Sequence, residues 1–180
     1  MQSKYRLLIA AVLALVASLY LAKQPGLITS KTNQPSQTQA LLDARFNALN
    51  GSEVSLTTWQ NKIIVLNFWA TWCPPCREEM PELSKMQDQY KNQNLVIVGL
   101  STEDLDTTKN FIAEHPVSYP VLAGDMQAMT FAESLGNNQS ILPYTVVIDE
   151  KGQLVKAFFG RVNQTLLEKT ITPLLKNQVP

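Results

Sequence analysis

Two cysteines and one histidine in 180 residues are too few for an intrachain zinc site, which takes four ligands. Glycine and proline, at 7 and 10 residues, are not enriched, which excludes fibrous and low-complexity classes. Neither sign of charge is in surplus, since 15 basic and 15 acidic side chains balance. Three of the basic ones, Lys4, Arg6 and Lys23, lie within residues 1–23, which hold no acid; the rest of the chain therefore carries 12 basic against 15 acidic side chains, a net of −3. A nucleic-acid footprint needs a clustered basic face, and none is present. No internal repeat is visible. What remains is a globular composition, 45% hydrophobic and 17% charged, with room for one domain and an appendage.

The appendage is N-terminal. Lys4 and Arg6 precede an uncharged apolar run from Leu7 to Ala22, which at 1.5 Å per residue spans roughly 24 Å, short of a hydrocarbon core of about 30 Å. The run reads as a single signal-anchor over residues 1–23. A cleaved signal is the alternative, with Val16-Ala17-Ser18 offering small residues, and a buried core helix is the third reading. No cysteine stands near it to carry a lipid. Basic residues ahead of the run place the N-terminus inside and the domain outside. Residues 24–40, rich in Gln, Ser, Thr, Asn and Pro, read as a flexible linker. The folded domain is expected over residues 41–180.

Within it, Ile63 to Trp69 (IIVLNFW) and Leu95 to Leu100 (LVIVGL) are nearly all apolar, as strands covered on both faces should be. Thr145 to Ile148 and Leu154 to Phe159 flank Gly152 and predict an antiparallel hairpin. Between the first two strands, Cys76, Met80, Leu83, Met86 and Tyr90 recur in steps of three and four, which predicts a helix over 75–90. Further helices are predicted over 107–114, 126–135 and 164–175. Asp106, Asp125 and Asn163 are candidate N-caps, and Gly136 closes the third helix. Alternating β and α elements finished by a hairpin and a helix predict an α/β domain: a central mixed sheet flanked by helices.

The two cysteines stand in Trp72-Cys73-Pro74-Pro75-Cys76, directly after a buried strand and at the opening of an amphipathic helix. A helix N-terminus carries partial positive charge and free N–H groups, which stabilise a thiolate. Cys73 is therefore expected to be the exposed attacking thiol and Cys76 the buried resolving thiol. A purely structural disulfide would close a very small loop, where entropic stabilisation is least. Metal binding would need ligands from a second molecule, and two inert thiols would not need a strand–helix junction. Dithiol redox chemistry is the preferred reading.

The stretch Val65 to Pro81 (VLNFWATWCPPCREEMP) resembles the active-site segment of thioredoxin-like proteins, and most closely that of the membrane-anchored TlpA/ResA/DsbE (CcmG) group. A second match, Ile141 to Asp149 (ILPYTVVID), resembles the loop whose proline is cis in this fold. The resemblance runs from about Ala44 to Leu175. It implies a thioredoxin-like fold with an N-terminal β-hairpin over 42–56, turning at Asn50-Gly51, and a mid-domain strand–helix insertion over 120–136. It implies a cis bond at Leu142–Pro143, in a loop that faces the cysteines and offers backbone groups to an extended client segment. Trp72, Pro74, Pro75, Leu142 and Pro143 would then form the substrate-binding surface.

One departure stands out. Thioredoxin has a buried Asp six residues before the first cysteine; here that position is Asn67, which cannot titrate. Glu79, three residues after Cys76, matches an acidic position of the group and is the candidate for tuning the thiols or shuttling a proton, since a nearby negative charge raises a thiol pKa. Glu78 and Glu82 read as a solvated first turn that complements the helix dipole. Trp72 is expected to shield the thiol, Trp69 to be core, Pro81 to bend the helix and His115 to cap a helix end. Pro74 and Pro75 lack the N–H groups that could bond the Cys73 sulfur. Weaker thiolate stabilisation makes a weaker oxidant, so the couple is expected nearer about −270 mV than about −120 mV.

The resemblance thus implies a thiol–disulfide oxidoreductase on the extracytoplasmic (periplasmic) face of a bacterial inner membrane. It would reduce disulfides in exported proteins, apocytochrome c being the leading class, with electrons from a membrane thiol transporter of the DsbD/CcdA kind and no bound cofactor. The competing readings are an oxidant, a thiol peroxidase and a non-catalytic peptide-binding module. The peroxidase is disfavoured because its attacking cysteine stands in a Thr-x-x-Cys context, whereas Thr71 lies two residues before Cys73.

Overall fold

A computed structural model describes residues 41–176. The signal-anchor over 1–23 and the linker over 24–40 lie outside the described residues. Among those described, no helix is long and apolar enough to cross a membrane.

Among the described residues seven strands form one mixed sheet, in the order Glu53–Ser55 (β2), Arg45–Ala48 (β1), Val121–Ala123 (β5), Leu95–Ser101 (β4), Ile63–Trp69 (β3), Tyr144–Ile148 (β6) and Leu154–Phe159 (β7). The central strand β3, Ile63–Trp69, is buried at every position. It pairs in parallel with β4, Leu95–Ser101, and antiparallel with β6, Tyr144–Ile148. Strands apolar at consecutive positions need cover on both faces, and the side chains divide accordingly. Ile63, Val65 and Trp69 join one core with Met80, Leu83 and Met86 of helix α1, Pro74–Tyr90, and Leu167 and Ile171 of helix α4, Gln164–Lys176. Ile64, Leu66 and Phe68 join the other with Ala128 and Ala132 of helix α3, Asp125–Ser134. Helix α2, Leu105–Glu114, adds Phe111 and Ile112 to the first core.

The hairpin and the insertion meet. Strands β1, Arg45–Ala48, and β2, Glu53–Ser55, pair antiparallel around a turn in which Gly51 takes a φ of +83°, a value that favours glycine. Strand β5, Val121–Ala123, lies between β1 and β4 and joins the hairpin to the sheet. Just beyond it the chain passes Phe46 closely: a Cβ on Gly124 would lie 2.7 Å from the Phe46 ring and 2.8 Å from Ala128 Cβ. At the opposite edge, β7, Leu154–Phe159, returns from β6 through a turn in which Asp149 Oδ1 accepts from Lys151 N and Gln153 N.

Two helix starts differ from the sequence reading. Helix α2 is capped by Asp104, whose side chain accepts from Thr107 N, and Asp106 sits inside its first turn. The N-cap of α3 is Gly124, and Asp125 is its first helical residue. In both cases an acidic residue next to the boundary suits a cap by type, whereas the backbone turn falls one or two residues earlier. Asn163 does cap α4, with its Oδ1 accepting from Leu166 N at 2.9 Å. Gly136, at φ +106°, closes α3.

Candidate active site: a dithiol at a strand–helix junction

Strand β3 delivers the chain to Ala70, and Cys73 N–H bonds back to Ala70 C=O at 3.2 Å. Thr71 is fixed by Glu103, which accepts from the Thr71 hydroxyl at 2.9 Å and from its N–H. Cys73 is the N-cap of α1 in an extended conformation, with Pro74 and Pro75 opening the helix. Proline suits those positions because the first helical N–H groups have no partner within the helix. Cys73 and Cys76 are joined in a disulfide, with Cα atoms 5.3 Å apart.

Cys76 is fully buried, as expected. Cys73 is not the exposed thiol of the sequence reading, since only 3% of its surface is open. Sequence spacing puts a residue at a helix end without saying what packs over it, and here Cys73 belongs to the α1-side core. It is still the more open of the pair. Trp72 is 69% exposed and projects to solvent, whereas Trp69 is wholly core.

The Leu142–Pro143 bond is cis. Phe68 and Tyr144 are register partners in antiparallel strands, so the loop entering β6 and the Cys73 turn leaving β3 emerge at the same end of the sheet. Buried Asn137 braces that loop, donating from Nδ2 to Ile141 C=O at 2.9 Å and accepting Ile141 N–H at 3.0 Å. Tyr144 adds a 2.6 Å bond to Leu135 C=O. Gly160 N–H donates to Pro143 C=O at 2.8 Å.

Glu79 lies three residues beyond Cys76 on α1 and has no exposed surface. It interrupts the apolar stripe of Cys76, Met80, Leu83 and Met86 with a carboxyl group. Oε1 accepts from Asn67 Nδ2 at 2.6 Å, and Oε2 from Val162 N–H at 2.8 Å. Burial pushes its pKa from 4.5 to about 7, against the opposing pull of those two donors and of Arg161. Tyr119, buried nearby with no hydrogen-bond partner for its hydroxyl, is raised above the usual phenol range, first by burial and second by the Glu79 charge.

Glu78 and Glu82 do face solvent at the start of α1, but they are not simply solvated. Arg161 spans them, with Nη1 3.0 Å from Glu78 and Nη2 2.8 Å from Glu82. His115 terminates α2, its Nδ1 3.2 Å from Phe111 C=O and its ring stacked on Phe111 at 4.3 Å. Among the described residues no group of three or more His, Cys, Asp or Glu side chains could hold a metal ion. Arg161, Asn137, Glu103 and Val162 were not singled out from the sequence. Arg161, Glu103 and Val162 act through partners far along the chain, which no local pattern marks, whereas Asn137 bonds Ile141 four residues on within one loop.

A CxxC pair at the start of a helix, after the central strand of a mixed sheet and beside a cis-proline loop, defines a thioredoxin-like thiol–disulfide oxidoreductase. Comparison with known proteins agrees. The Redoxin family profile matches residues 35–173. The thiol-disulfide oxidoreductase ResA of Bacillus anthracis is 32% identical over 129 residues, covering 69% of this chain and 72% of that protein. A thioredoxin-like protein, YneN, of Bacillus subtilis is 30% identical over 132 residues, covering 72% of this chain and 75% of that protein. Among solved structures, a thiol:disulfide interchange protein DsbE from Chlorobium tepidum superposes with a TM-score of 0.66 at 24% identity, over 75% of this chain and 94% of that one, which shows the shared fold. A DsbF homologue from Corynebacterium diphtheriae gives 0.65 at 27% identity, over 74% and 85%. The chain belongs to the Redoxin family, in its TlpA/ResA/DsbE thioredoxin-like group.

Proposed function

We propose that this oxidoreductase works as a reductant of disulfides in exported proteins, held by its N-terminal segment on the outer face of a bacterial inner membrane. The observation that carries the direction is the Pro74-Pro75 pair at the first two positions of α1. Neither residue has an N–H to bond the Cys73 sulfur, so the reduced form is less stabilised than it would be beside donor-bearing residues. A stable reduced form makes an oxidant; its absence favours a reductant.

In the proposed cycle the Cys73 thiolate attacks one sulfur of a client disulfide, and the first client thiolate leaves as a mixed disulfide forms. Cys76 then gives up its proton and attacks Cys73 Sγ, releasing the second client thiol. The enzyme is left with the Cys73–Cys76 disulfide, and the client holds the two electrons. Re-reduction needs a dithiol donor, for which a membrane thiol transporter of the DsbD/CcdA kind is the proposed source. Glu79 is proposed to receive the Cys76 proton or to raise the thiol pKa by its charge, since a carboxyl group titrating at about 7 changes state at working pH. Trp72, Pro74, Pro75, Leu142 and Pro143 are proposed to dock an extended client segment, with apocytochrome c as the leading client class by family likeness.

Equilibration of the full-length chain with defined dithiothreitol ratios measures the couple. A midpoint near about −270 mV is expected, and a value above about −180 mV reverses the assigned direction. Cys76→Ala should accumulate mixed disulfides through Cys73. A variant that traps nothing while still binding peptides would instead favour a non-catalytic binding module.

A further inference from the structure

Three consecutive residues, Gly160, Arg161 and Val162, bond three different parts of the site. Gly160 N–H reaches Pro143 C=O in the cis-proline loop at 2.8 Å. Arg161 reaches Glu78 at 3.0 Å and Glu82 at 2.8 Å on the outer side of α1. Val162 N–H reaches the inward carboxyl of Glu79 at 2.8 Å. Gly160 takes φ +81°, the left-handed turn that lets the chain leave β7 and cross to the helix. Val162 is buried, whereas Arg161 remains on the surface.

We propose that Arg161 is a positioning residue that clamps the Gly160–Val162 segment onto α1 and thereby fixes the Pro143 loop relative to the Cys73–Cys76 dithiol, a role that rests on the docking function proposed above for that loop. An isolated surface ion pair contributes little, because two flexible side chains must be ordered for a screened attraction. Arg161 differs in two respects. Its planar fork spans two carboxylates one helical turn apart, which would otherwise repel each other. Its backbone neighbours are also already bonded, Gly160 to the loop and Val162 to Glu79, so part of the ordering cost is met without the guanidinium. A lysine would carry the charge but could not present the fork to both acids.

The geometry separates two kinds of substrate. A protein client lies across the Pro143 loop and the dithiol together and so depends on their spacing. A small disulfide meets the sulfur alone. The test uses the reduced full-length chain with insulin as the protein disulfide and glutathione disulfide as the small one. Arg161→Ala is expected to raise KM for insulin about three- to fivefold more than it changes the rate on glutathione disulfide, since whatever the lost charge does to Glu79 acts on both substrates alike. Arg161→Lys is expected to recover part of the loss. An unchanged insulin KM, or equal losses on both substrates, overturns the proposal. Trp72→Ala, at an exposed position whose truncation leaves the core intact, tests the docking role separately. If it raises the insulin KM and Arg161→Ala does not, the clamp alone fails. If it has no effect either, the docking surface fails and the clamp with it.

Discussion

Asn67 Nδ2 donates a 2.6 Å hydrogen bond to Glu79 Oε1, joining the middle of the central strand to the helix that carries the dithiol. The same nitrogen also donates to Thr145 Oγ1 at 2.9 Å, so β3, β6 and α1 meet at one buried amide. The second carboxyl oxygen takes Val162 N–H. Glu79 thus has polar partners for both oxygens but no cation among its hydrogen-bond partners. Hydrogen bonds favour the charged form, burial disfavours it, and burial prevails.

That balance has a measurable consequence for stability. The folded pKa of Glu79 is about 7, above the ordinary value of 4.5. Between those values the folded chain holds a proton that the unfolded chain has lost, so stability falls as pH rises through the window. A shift of this size corresponds to a loss on the order of 3 kcal/mol. Other carboxyl groups also titrate, and Glu79→Gln isolates the contribution. Urea unfolding of the oxidised full-length chain should show the wild type losing on the order of 3 kcal/mol more than Glu79→Gln between pH 4 and pH 8. Parallel curves would show that the carboxyl group titrates in the folded chain as it does in the unfolded one.

The joint between hairpin and insertion offers a test of packing. Gly124 N–H bonds Ser101 C=O at 3.0 Å where the chain turns from β5 into α3. An alanine methyl would enter the space held by the Phe46 ring and Ala128. Both obstacles are in the core, and neither is the free end of a flexible chain. Gly124→Ala should therefore destabilise the protein by about 1–3 kcal/mol through overpacking. Because Phe46 and Ala128 belong to the core on the opposite face of the sheet from the one that holds Cys73, the rate on glutathione disulfide should be unaffected. A midpoint of unfolding equal to that of the wild type would show that β1 and α3 can move apart freely.

Much of this architecture is written locally. The apolar runs of β3 and β4 and the spacing of Cys76, Met80, Leu83, Met86 and Tyr90 each need only neighbouring residues to declare themselves, whereas the hairpin turning at Asn50-Gly51 came from family likeness. The cis bond before Pro143 came from family likeness. The misplaced caps of α2 and α3 show the limit of local signals, because Asp104 and Asp106 are equally good candidates until the backbone turn is seen. The burial of Cys73 was illegible for a different reason, because helical spacing does not say what packs over a helix end. Spacing does put Glu79 within the apolar stripe, three residues after Cys76 and four before Leu83, but its partner Val162 lies 83 residues away. Arg161 is separated from its partners by similar distances, and in the sequence it is one more surface cation.

The amide at position 67 can itself be put to the test with Asn67→Asp, which restores the residue type that thioredoxin carries there. In this chain the new carboxylate would stand where Nδ2 now lies, within hydrogen-bond distance of Glu79 Oε1. Two carboxyl groups at that separation cannot both ionise at little cost; they share a proton and titrate in two macroscopic steps, the upper one raised above the value of either alone. At pH 5 the pair holds its proton and keeps an O–H···O bond, so the variant should lie close to the wild type. At pH 8 folding must either retain that proton against the solution or bury two charges, and the variant should lose a further 2 kcal/mol or so. The retained charge should also raise the Cys73 pKa in the reduced chain, moving its iodoacetamide alkylation profile to higher pH. A stability deficit equal at both pH values, with an unmoved alkylation profile, would mean that position 67 and Glu79 do not share a proton and that the thiols do not sense the charge between them.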